Sequence, residues 1–205
     1  MGIQETLKGM GRRELKTAGA QSKALSYSAQ FTSTTLGRRL QHCASVIGEI
    51  RHGETKHVVS AGAWSAEHMI AVIADQIGPA DLMLATWSVS DASLARLCGA
   101  MESGAIRSCR AIFDWRVKVR KPNAHTMLRA SLPAADLRLT NCHAKVYLLA
   151  GDTHRITIVS SANLTTNPRI EASVITEGAD VHAFHCEWMT AELANAKPFD
   201  EDPAQ

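Results

Sequence analysis

The pattern of apolar and polar positions sharpens at residue 57. His57-Val58-Val59-Ser60-Ala61-Gly62-Ala63 reads as a buried strand. Ser65 is placed to cap a helix over 66–77, and Gly78-Pro79 stops it. Residues 81–87 form a second predicted strand, and Asp91 starts a helix over 92–103 that ends at Gly104. Residues 106–115 give a third strand. Strands alternating with helices of this length predict a sheet with crossover connections. The second half changes rhythm. Four short strands are predicted at 136–139, 144–149, 155–160 and 170–176, with turns at Gly151-Asp152 and Asn167-Pro168. A last amphipathic helix spans 179–195.

The sum is an α/β fold, a mixed β-sheet flanked by helices as an α/β/α sandwich, over residues 57–196. Residues 1–56 have weaker periodicity and are expected to form a basic arm or small helical region. Residues 197–205 are expected to be a frayed polar tail.

Composition narrows the class. The 205 residues are 45% hydrophobic and 20% charged, as in an ordinary globular domain. No run approaches the 18 apolar residues of a membrane span, and the start lacks the apolar core of a secretory signal. The five cysteines are odd in number and contain no C-x-x-C pair, which excludes a disulfide framework or zinc ribbon. A reducing, cytoplasmic location is the expectation. His182, His185 and Cys186 offer at most three ligands on one helix, so no metal site is expected. Trp64, Trp87, Trp115 and Trp188 are expected to serve core or interface.

Net charge is only +2, but it is unevenly spread. Residues 1–56 carry nine Lys/Arg against four acids, and residues 171–205 carry one Lys against eight acids. Between 107 and 129, seven basic residues face Asp114 alone. Such a run can attract a polyanion. Arg116, Lys118, Arg120 and Lys121 are the candidate nucleic-acid contacts.

The chemistry concentrates in HAKVYLLAGD and IVSSANLTTNPRIEASVI. Residues two apart on a strand share a face, so His143 and Lys145 project together, as do Ser161 and Asn163. Neighbouring strands would then gather an imidazole, an ammonium, a hydroxyl and an amide at one end of the sheet. These groups suit gripping and attacking a phosphodiester.

The two segments resemble the phospholipase D-like superfamily. Its pattern is His-x-Lys, four residues, Asp, then Gly/Ser-Ser-x-Asn at a strand end and a later Glu. His143, Lys145, Ser161, Asn163 and Glu171 match. Ala150 stands where the family has Asp, with Asp152 two residues on, and Ser160 replaces the family's Gly. Only one such motif is present. The resemblance therefore implies a homodimer, as in the single-motif bacterial endonucleases, with two copies of His143 facing each other. It implies a metal-independent phosphodiesterase without a cofactor. One His143 would form a phosphohistidine, and the other would protonate the leaving oxygen. Lys145, Ser161 and Asn163 would hold the phosphate, and Glu171 would accept a hydrogen bond from the imidazole. The basic segments favour nucleic acid, DNA over RNA, and no membrane. The alternatives are a phosphodiesterase or transphosphatidylase acting on lipid head groups, and a catalytically silent DNA-binding subunit.

Overall fold

The computed structural model describes residues 22–27, 32–37, 42–131, 136–165, 169–195 and 197–198. Strands β1 (Ser22–Tyr27), β2 (Thr32–Gly37) and β3 (Thr55–Ala61) flank the short helix α1 (Cys43–Ile47). Then come α2 (Ala66–Ile77), β4 (Ala80–Thr86), α3 (Asp91–Glu102), β5 (Ile106–Asp114), α4 (Arg116–Arg120) and α5 (Pro122–Ser131). The chain continues through β6 (Leu137–Thr140), β7 (Lys145–Ala150), β8 (Arg155–Ser160), β9 (Ile170–Glu177), α6 (Ala179–Asn195) and β10 (Lys197–Pro198).

The described strands form one sheet in the order β10-β6-β5-β4-β7-β8-β9-β3-β1-β2. β4, β5 and β6 run parallel, joined by α3 and by α4 with α5. β7 is antiparallel to β4, and β7, β8, β9 and β3 follow as antiparallel neighbours. The mixed α/β reading from sequence is therefore what the chain forms. Side-chain alternation along β7 separates the two layers. Tyr147 and Leu149 join the core with Met69, Ile70 and Ile73 of α2, whereas Val146 and Leu148 pack with Met189 and Leu193 of α6. Helix α6 thus covers one face, and α2 lies on the other.

Several elements differ from their predicted form. Residues 22–27 and 32–37, expected as arm or helix, pair with each other and join the sheet through β3. The Thr-rich run of β2 has β propensity, and pairing with β1 engages one side of its backbone. Lys197 and Pro198, expected in a frayed tail, pair with β6. Ser90 rather than Asp91 caps α3, its hydroxyl accepting from the Ser93 N–H. The basic stretch after β5 is helical. The Asn167-Pro168 turn lies outside the described residues. Among the described residues no helix is long and apolar enough to cross a membrane.

Candidate active site

The ends of four strands meet at one edge of the sheet. In register, Thr86 at the end of β4 sits beside Lys145 at the start of β7, and Ser160 at the end of β8 beside Ser173 of β9. The chain after β8 is pinned back: Leu164 bridges Val89, and the Ser90 N–H donates to the Leu164 carbonyl at 2.8 Å. The buried Tyr147 hydroxyl donates to the Ala162 carbonyl at 2.8 Å. These ties place Ser161 and Asn163 against His143 and Lys145 although they come from different strands.

The result is a cleft of about 840 Å³ whose lining includes His143, Lys145, Ser161, Asn163 and Glu171. The five residues singled out from the motif thus reach one cavity. Lys145 Nζ donates to the His143 carbonyl at 2.6 Å and lies 3.3 Å from His143 Nδ1. Burial pushes the Lys145 ammonium down, an effect opposed by Cys142 and by the Glu171 carboxylate. Ser161 donates a short hydrogen bond to Glu171 and accepts one from the Ala172 N–H. Thr86 donates to Asn163 Oδ1, which leaves the NH2 end as the donor the amide can offer. The cleft therefore gathers an imidazole, a cation and neutral donors from neighbouring strand ends.

The candidate nucleic-acid contacts fall in different places. Arg116 lies on α4, its Nε and Nη2 donating to buried Asp114 at 2.5 and 2.8 Å. Its guanidinium carbon lies 5.5 Å from the centroid of the Trp87 ring. Arg120 and Lys121 are exposed and line a smaller cavity next to the cleft, and Lys118 is half-buried on the same helix. Arg107, counted in the same basic run, is instead engaged by Asp81 and Asp152 at the start of β5. The basic run is therefore divided between two ends of the sheet.

Residues missed from sequence also line the cleft, namely Trp87, Ser88, Thr165 and Arg169. Trp87, expected as core or interface, stands 5.6 Å centroid to centroid from the His143 ring. The signal for Thr165 was available, since it continues the Ser161–Asn163 alternation. Cys142 is a core residue whose thiol is pushed up, first by burial. His185 accepts a hydrogen bond from the Trp188 indole N–H at 3.0 Å. Among the described residues no three His, Cys, Asp or Glu side chains gather as a metal site.

Solved structures match this arrangement of strands and helices. A phospholipase D family member, Nuc from Salmonella typhimurium, aligns with a TM-score of 0.52 at 16% identity, covering 70% of this chain and 97% of that one. The chain has the phospholipase D-like fold. NucT from Helicobacter pylori aligns equally well, with a TM-score of 0.52 at 15% identity, over 70% of this chain and 99% of its own. No protein-family model matches the sequence, and no curated protein matches it. At these identities the phospholipase D-like likeness concerns the fold, and the chemistry rests on the cleft residues.

Proposed function

We propose that this chain is a phosphodiesterase that cleaves a nucleic-acid backbone without a metal, through a phosphohistidine at a site shared by two copies. The observation that carries this is the convergence of His143, Lys145, Ser161, Asn163 and Glu171 on one cleft from three strand ends. The His143 lone pair attacks phosphorus, and the bond to the leaving oxygen breaks. The second copy's His143, protonated, gives its proton to that oxygen. Water then attacks phosphorus and gives a proton to the same second histidine. The phosphorus–nitrogen bond breaks and the first imidazole is restored. Lys145 and Asn163 stabilise charge on the non-bridging oxygens, the work a metal does elsewhere. Glu171 positions Ser161.

The shared site is supported by the single His-x-Lys motif and by the cleft rim, where Val159 and Ile170 are 41% and 53% exposed. An apolar rim around a polar centre suits an isologous contact. Nucleic acid is favoured by exposed Arg120 and Lys121 beside the cleft. The test is incubation of labelled DNA and RNA with the purified protein in excess chelator, with acid-labile phosphate trapped on His143. Cleavage and a His143 adduct are expected. Activity that vanishes with chelator and returns with Mg²⁺ would overturn the mechanism.

A further inference from the structure

Trp64 is a buried core indole at 5% exposure, and Trp115 and Trp188 pack partly buried against the core. Trp87 is half-buried and has surface on two cavities. One is the cleft. The other holds about 170 Å³ and is lined by Trp87, Ser88, Arg116, Val117, Arg120 and Lys121. The indole is the wall between the proposed catalytic histidine and a pair of exposed cations.

That wall is rigid. Thr86 before it is buried in the sheet, and Val89 after it bridges Leu164. The Arg116 guanidinium lies over the ring and is itself locked by Asp114. A ring held this way loses little entropy when a ligand packs on it. The Arg116 cation over the indole is a cation–π contact that holds the ring further in place.

Resting on the nucleic-acid reading above, we propose that Trp87 is a stacking platform for the base next to the cleaved phosphate, and that the substrate strand is unpaired there. A phosphate on His143 has its nucleoside within reach of an indole 5.6 Å from that imidazole. The next phosphate then meets Arg120 and Lys121. In a duplex both faces of each base are already covered by neighbours, so only a single-stranded or flipped nucleotide can use Trp87. A cationic groove interleaved with an aromatic is the usual single-strand arrangement.

The test compares a short fluorescent oligothymidylate with an abasic strand of equal length, which keeps the phosphates and lacks the bases. Binding to the full chain carrying His143→Asn is read by anisotropy. The base-bearing strand should bind about tenfold or more tightly. Trp87→Leu should bring the ratio close to one, and Trp87→Phe should retain most of it. If Trp87→Leu does not fold, the ratio in the parent and in Trp87→Phe still decides. Salt-dependent binding of both strands with a ratio near one overturns the platform and leaves the nuclease reading standing. A ratio that survives Trp87→Leu does the same. Failure of both strands to bind sinks the two readings together.

Discussion

Lys145 meets two opposed demands. Its ammonium is pushed down by burial at the cleft, yet it donates to the His143 carbonyl and approaches the imidazole. A phosphate entering the cleft adds negative charge beside the ammonium, to that of Glu171. Lys145→Met should therefore remove cleavage by on the order of a hundredfold or more, as for an oxyanion donor, without lowering Tm. Calorimetry and a cleavage time course check the pair; a large fall in Tm would make Lys145 a structural residue. His143→Ala should abolish turnover and leave strand binding measurable. The basic side chains divide by partner. Arg116→Ala strips buried Asp114 of its cation and should lower Tm, so it cannot report binding cleanly. Arg120→Ser with Lys121→Ser should leave Tm unchanged and flatten the log–log salt slope of binding by about 0.7–0.9 for each phosphate no longer neutralised. An unchanged slope would make them ordinary surface charges. The five motif residues were legible in sequence through the His-x-Lys and Ser-x-Asn spacing and the later Glu171. Their meeting is set by nonlocal ties, since His143, Ser161 and Asn163 lie just outside β7 and β8. The division of Arg107 from Arg120 was not legible, since a charge run carries no record of the acid each cation meets across the fold.

At the scale of elements, boundaries were legible where local chemistry sets them. Ser65 begins α2 and Gly78 follows its end at a φ of 80°. The hairpin of β1 and β2 was not, because its place is set by pairing with β3, a nonlocal term. The site depends on such nonlocal ties. Tyr147 on β7 holds the segment after β8 through Ala162, between Ser161 and Asn163. Tyr147→Phe leaves a buried carbonyl without its donor and should cost about 1–3 kcal/mol. Cleavage should fall further than the folded fraction does, which denaturant titration alongside kinetics can separate. At the opposite pole, Glu177 closes β9 against the turn before β3. Burial raises its carboxyl, but the Gly53 and Arg155 N–H groups and His52 outweigh that and hold it below the ordinary 4.5. A carboxyl lowered by folding stabilises above its unfolded value, and that stability is lost as pH falls through the folded value. Glu177→Gln should lower Tm near neutrality and shrink the loss below about pH 4.5. A thermal-melt series across pH checks this, and parallel curves would count against it.

At the scale of the whole molecule, the proposed chemistry needs two histidines and each chain offers one at the cleft. The residues behind the cleft are well packed: Tyr147 and Ile158 are fully buried, so a second imidazole cannot come from repacking within the chain. In the proposed dimer it arrives across the open side, where Val159 and Ile170 are exposed. A contact there would bury apolar rim and bring a second Lys145 and Asn163 to the same phosphate, so dimerisation and turnover should disappear together. Val159→Lys with Ile170→Lys should give a folded monomer without cleavage. The sharper test mixes wild type with excess His143→Ala chain after subunit exchange. If both histidines serve one phosphate, each mixed dimer lacks either the attacking or the protonating group. Activity should then follow the small remaining wild-type dimer fraction, falling as the square of the wild-type share. Activity linear in wild-type chains would place the complete reaction in each copy, and a monomer that still cleaves by light scattering and gel assay would do so as well.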